Sequence, residues 1–255
     1  MRSLQRVAVA LVGVGLFAGF ASSARAQVSV DDRVASLADY VKKKSDDEAS
    51  VVVDGLAQAY AGMGDDDKKK AVGALEKCLS ARREDGDDKL YESVVNAFAN
   101  MGELGQKATL KSLKSPNVDK RRSVLASALR SLGFHKNPAN VKTLVDYLVN
   151  NEPLVVAGAA DALGNYAALP EKTRKPIVEE LVKNYAQFAS AASNTQASNK
   201  DKGMAEERLN IVQKSFQGAL QKLTGQEFKD APAAQKWFND NKSKKWPDAA
   251  DGGGS

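Results

Sequence analysis

Between Ser45 and Phe238 apolar residues return every three or four positions and almost never alternate with polar ones. That period puts them on one face of an α-helix, whereas a half-buried strand hides every second residue. Ala, Leu, Lys, Glu and Gln dominate the same stretches, and these residues lose little side-chain freedom in a helix. The one concentrated β-branched run, SVVVDGL at 50–56, passes without a turn into AQAYAGMG and reads as helix too. The pattern predicts an all-α protein.

A short phrase recurs within these helices: AYAGMG at 59–64, AFANMG at 97–102, ALRSLG at 128–133, ALGNYA at 162–167 and a weaker ALQKLT at 219–224. Each has Ala, a large apolar residue, two variable residues, a second large apolar residue and a small one. The copies end 38, 31, 34 and 57 residues apart. Gly64, Gly102 and Gly133 close the first three and are expected to act as left-handed helix stops. Eleven residues beyond the small residue of the first four copies stand Leu75, Leu113, Leu144 and Val178, each inside a second helical pattern. Each unit therefore reads as two short helices joined by a tight turn. Ser115-Pro116, Asn137-Pro138 and Glu152-Pro153 supply helix starts, where proline sacrifices no hydrogen bond.

Helical hairpins repeating at this interval stack into an α-solenoid in which every unit covers its neighbour's apolar face. A plain helical bundle accounts for the amphipathicity but not for one phrase recurring at a fixed offset from the next helix. The units around VDKRRSVLASALRSLG and LVVAGAADALGNYA resemble HEAT or HEAT-like repeats, through Pro116, Val118, Arg121, Ala128, Leu129, Leu132 and Gly133, then Pro153, Val155, Ala162, Leu163 and Tyr166. Tetratricopeptide repeats share the 34-residue interval, but their Trp and Gly-Tyr spacing is missing here. The resemblance covers residues 48–185, after a lead-in at 27–47. It implies a stacked array used for protein association. Residues 186–204, rich in Ala, Ser, Asn, Gln and Lys, read as a polar low-complexity loop, with its exposed part in NTQASNKDKG.

The N-terminus changes the charge argument. Arg2 and Arg6 precede an uncharged apolar run from Val7 to Phe20, and Ala24-Arg25-Ala26 then offers a small-x-small cleavage pattern. Residues 1–26 read as a secretory signal, cut between Ala26 and Gln27, which places the protein in the periplasm or outside the cell. The chain has 37 basic and 32 acidic residues; without Arg2, Arg6 and Arg25 the basic count is 34, and the net charge falls to +2. That balance gives no reason to expect nucleic acid as a partner. No later stretch is long and apolar enough for stable membrane insertion after cleavage.

Candidate chemistry is sparse. Cys78 is the single cysteine and reads as a small buried hydrophobe; His135, in GFHKNP after a helix end, is the single histidine. A Cys/His metal cluster cannot be assembled from these, and no nucleotide-binding or hydrolase motif is present, so no cofactor and no catalytic residue is expected. The Asp runs KKKSDDE, GDDDKKK and REDGDDK lack the ligand spacing of a calcium loop and read as solvated helix ends. A carboxylate-based enzyme or lyase remains an alternative, as does a structural envelope protein without a dedicated ligand. Lys120, Arg121, Arg122 and Arg130 form the densest basic patch within the repeats and, with Trp246, are the candidate surface for a protein or peptide ligand in the cell envelope.

The chain closes with LTGQEFKDAPAAQKWFNDNKSKKW, 223–246. It resembles the Leu-Thr-Gly-Gln-x-Phe…Trp segment that ends some bacterial HEAT-repeat proteins. A terminal repeat has no neighbour and needs an atypical cap. Leu223, Gly225, Phe228, Trp237 and Phe238 are the expected cap within residues 205–247, with Gly225 as a helix stop and Asp230 as a helix cap. Residues 248–255 read as a disordered tail.

Overall fold

The computed structural model describes residues 29–246, so the expected signal at 1–26 and tail at 248–255 lie outside the described residues. Those described fold as helices without a strand. In chain order the helices are α1 (Val30–Lys43), α2 (Asp46–Ala59), α3 (Asp65–Cys78), α4 (Lys89–Phe98), α5 (Gly102–Ser112), α6 (Pro116–Asp119), α7 (Arg122–Phe134), α8 (Val141–Asp146), α9 (Pro153–Gly164), α10 (Glu171–Ala192), α11 (Asn199–Thr224) and α12 (Ala231–Asn241). Among the described residues none of these is long and apolar enough to cross a membrane.

The helices pack in two rows. In the first, α2 packs on α4, α4 on α7, α7 on α9 and α9 on α11. In the second, α1 packs on α3, α3 on α5, α8 on α10 and α10 on α12. The Gln106 amide of α5 donates to Asn140, at the start of α8, at 3.2 Å and carries the second row across its middle. Every copy of the recurring phrase lies in or at the end of a first-row helix, and Leu75, Leu113, Leu144 and Val178 all lie buried in or beside second-row helices. An interval written in the sequence thus becomes an alternation between rows. This is an all-helical fold with the layering of a helical-repeat architecture.

Within the first row the small residues set the spacing. A Cβ on Gly133 of α7 would stand 2.6 Å from the Ala162 Cα of α9, and one on Gly158 of α9 would stand 2.7 Å from the Ala126 carbonyl of α7. A Cβ on Gly164 would reach 3.0 Å from the Ala219 Cα of α11. Backbones this close bring the flanking Leu and Val side chains into full contact across each joint. Helix α9, with a neighbour on both sides, buries Val155 through Ala160 without a break. A two-sided environment explains why its sequence is apolar all round rather than amphipathic.

Three expectations about helix stops require correction. Gly64 has an extended backbone (φ −69°, ψ 164°) and is the N-cap of α3, because the preceding helix already tightens into a 3₁₀ turn at Tyr60–Gly62. Gly102 is left-handed, φ +53°, but it opens α5 after α4 has ended at Phe98. Gly133 lies inside α7, buried, where the missing side chain admits α9. The stretch 186–204 is also helical except at 193–198. There Ser198 caps α11 by accepting from the Asp201 backbone N–H at 3.2 Å while its hydroxyl donates to the Asp201 carboxylate at 2.7 Å.

At the C-terminus Gly225 takes φ +73° and its N–H returns to the Gln221 carbonyl at 2.7 Å, ending α11. Asp230 accepts from the Ala233 N–H at 2.8 Å and starts α12. Leu223, Phe228 and Phe238 are buried and Trp237 is half-buried beside them. Ring centroids are 5.7 Å apart for Phe228–Trp237, 5.4 Å for Trp237–Trp246 and 6.5 Å for Phe238–Trp246. The tilted and edge-on arrangements suit the ring quadrupoles.

Candidate functional site: a trough along the helix N-termini

Two first-row joints, α2–α4 and α4–α7, are stitched at their N-terminal ends by arginines that reach back one unit. Arg83, ahead of α4, donates to both oxygens of Asp46 at the start of α2, with Nε–Oδ2 2.8 Å and Nη2–Oδ1 2.7 Å, and to the Val41 carbonyl at 3.0 Å. The Asp46 carboxylate pushes the Arg83 pKa further above its already high value, so this buried cation is permanent. Arg121, the N-cap of α7, repeats the device one joint on. It pairs with Asp88 at 2.5 Å, donates to the carbonyls of Arg83 and Glu84 at 3.1 and 2.8 Å, and lies 4.9 Å over the Tyr91 ring. Ser123 also donates to Asp88. Planar guanidinium donors suit such a joint because one side chain satisfies a carboxylate and two carbonyls together. Burial pushes the Tyr91 hydroxyl up, and it donates to the Ala81 carbonyl.

Beside the Arg121 stitch lies a depression of about 540 Å³, lined by Asp85, Gly86 and Asp88 ahead of α4, Asp119 to Arg122 ahead of α7, Asn150 and Glu152 ahead of α9, and the side chains of Leu125 and Val155. Arg122 approaches Glu152 at 3.8 Å across it. A second depression of about 430 Å³ shares Asn150 and continues toward α10 and α11. Its apolar lining is Leu148, Val149, Phe188, Ala191, Met204 and Ala205, beside the carboxamides of Asn150, Asn151, Asn184 and Gln187 and the charged Asp201 and Arg208. Val149 is 72% exposed there, and Met204 is exposed as well. Arg208 of α11 donates to the Asn151 carbonyl at 2.9 Å and lies 5.9 Å over the Phe188 ring, fixing the far wall. The two depressions form one trough, charged at one end and apolar at the other.

Of the residues singled out in the sequence, Lys120, Arg121 and Arg122 meet at this trough, and two others do not. The Arg121 side chain is only 9% exposed and is consumed in holding the α4–α7 joint, so it is corrected from surface to strut. Lys120 and Arg122 are exposed on the rim. Arg130 lies two turns along α7, where it pairs with Asp161 of α9 at 2.8 Å. Trp246 is also corrected: it is 3% exposed, and its indole N–H donates to the Asn241 carbonyl at 3.0 Å. Lys175 lies 5.4 Å over its ring, and Trp246 completes the cap by burying its indole, tilted against Trp237 and edge-on to Phe238.

The apolar half of the trough escaped the sequence reading. Its one signal was Met204, the single large apolar residue in a charged stretch, SNKDKGMAEE. Nothing in the sequence places Val149 or Phe188 beside it. Among the described residues, no group of three or more His, Cys, Asp and Glu is placed to hold a metal ion. His135 is half-buried at the C-cap of α7, and burial lowers its pKa. Cys78 is buried, its Sγ 3.3 Å from the Ala74 carbonyl, and burial pushes its thiol up to about 11. No family model matches the chain, and no curated protein or solved structure matches it.

Proposed function

We propose that the protein is an exported HEAT-like repeat protein that serves as a protein-interaction or scaffold module. The observation that carries this reading is the trough: exposed Val149 and Met204 on an apolar floor, framed by carboxamides and set on rigid helix ends. Isolated exposed apolar residues are ordinary, but several lining one groove with polar edges are the anatomy of an association surface. The exposed Asn151 and Gln187 carboxamides offer both donors and acceptors, which suits a polypeptide backbone. Export rests on the N-terminal run of residues 1–26, and the HEAT-like stacking on the two rows and the phrase shared by the first one.

The test is affinity capture from an envelope fraction with the mature protein, beside a Val149→Asp, Met204→Asp double variant. Capture of a defined protein by the native form, reduced about tenfold or more in the variant, is the expected result. Saturable binding of a small molecule with no protein captured would sink the scaffold reading in favour of an enzyme or carrier.

A further inference from the structure

We propose that the protein associates with further copies of itself head to tail, the free flank of α11 in one copy packing on the free flank of α2 in the next. The inference does not depend on what occupies the trough. At the two ends of the chain, α1 and α12 belong to the second row. The first row therefore ends in α2 and α11, each with a row neighbour on one side only. Between two neighbours, α9 buries nearly its whole surface, which is what a first-row helix offers when both flanks are covered.

The two free flanks differ in charge and each carries an exposed aliphatic residue. Helix α2 has four carboxylates and no basic residue of its own; Asp46 is held by Arg83, Asp47, Glu48 and Asp54 are exposed, and Arg33 of α1 donates to the Gly55 carbonyl nearby. Val51, 71% exposed, stands one turn from Asp47 and three residues before Asp54. Helix α11 has five basic residues against three acidic ones, and the stretch from Ala231 to Trp246 has four against one. Ile211 of α11 is 42% exposed beside Lys214, and Gly218, one turn on from Lys214, has open space where a Cβ would go. Among the described residues Glu48, Asp54 and Lys214 form no ion pair, whereas Asp47 pairs with Lys89. Glu207, a turn before Ile211, is a like charge on the basic flank, and Glu227, which accepts from the Gln221 amide at 2.9 Å, is another near its far end. An acidic end and a basic end on one molecule cannot satisfy each other within it. They are complementary between copies, and such a heterologous contact repeats until it closes a ring or continues as a filament.

Sedimentation velocity of the purified mature protein over a concentration series, at low salt and at about 0.5 M salt, reads the contact directly. Association that grows with concentration and weakens with salt is expected, and Glu207→Lys should tighten it. Asp54→Lys and Lys214→Glu, both at exposed positions, should each weaken it about tenfold or more. A mixture of these two variants should associate again, since each keeps one intact end and their altered ends are opposite in charge. A monomer at every concentration in low salt overturns the proposal, and so does association that survives both single variants.

Discussion

Gly133→Ala adds one methyl group at the tightest point of the first row. The new Cβ would lie 2.6 Å from the Ala162 Cα and 2.7 Å from the Ala162 carbonyl oxygen. Both are backbone atoms, so no rotamer change relieves the contact and α7 must move away from α9. Overpacking of this kind costs about 1–3 kcal/mol, while replacing Gly in a helix interior returns up to about 1 kcal/mol. A net loss of about 1–2 kcal/mol follows, read as a thermal midpoint about 2–8 °C lower by circular dichroism at this chain length. Ala162→Gly on top of it should restore only part, because the Ala162 Cα and carbonyl remain in the way. Gly73→Ala is the control. That glycine lies inside α3 with open space around it, so the substitution should stabilise by up to about 1 kcal/mol. If Gly133→Ala were as stabilising as Gly73→Ala, the small-residue seam between α7 and α9 would be refuted.

Three further outcomes test the account of the joints and the buried groups. Arg121→Ala should cost about 2–3 kcal/mol in urea unfolding, with Arg121→Lys recovering only part because a single ammonium cannot reach Asp88 and two carbonyls together; a loss below about 0.5 kcal/mol would remove the strut. His135 has a folded pKa below the ordinary value of about 6.5, so the unfolded chain takes up a proton first. Its contribution to stability is complete above that pH and is lost as pH falls toward the folded pKa, a slope that should disappear in His135→Gln. Cys78, held as a thiol by burial with a pKa of about 11, should react with a thiol reagent at mildly alkaline pH only as fast as the protein opens.

The ends of the trough show how far a sequence reading reaches. Lys120, Arg121 and Arg122 were visible as a basic run, yet the run does not say that the middle residue turns inward to Asp88 while its neighbours remain outside. Trp246 stood past the last helix beside lysines, a position that reads as exposed until the chain folds back over α12. Gly133 carried the same letters as a helix stop, but close approach of a neighbour rather than a left-handed backbone explains it.

What the sequence determined by itself is what depends on near neighbours along the chain. Period places apolar residues on helix faces, Asp230 and Gly225 mark the ends of helices through their own hydrogen bonds, and the spacing of the phrase sets the repeating unit. The tertiary structure alone decided which flank of each helix meets a partner, because that depends on atoms about 30 residues away in sequence, as in Arg121 to Asp88 or Gly133 to Ala162. It also decided that Val149, Phe188 and Met204 share one floor. Contacts of that range leave no local periodicity behind, so the rows could be anticipated from the phrase while the trough between their ends could not.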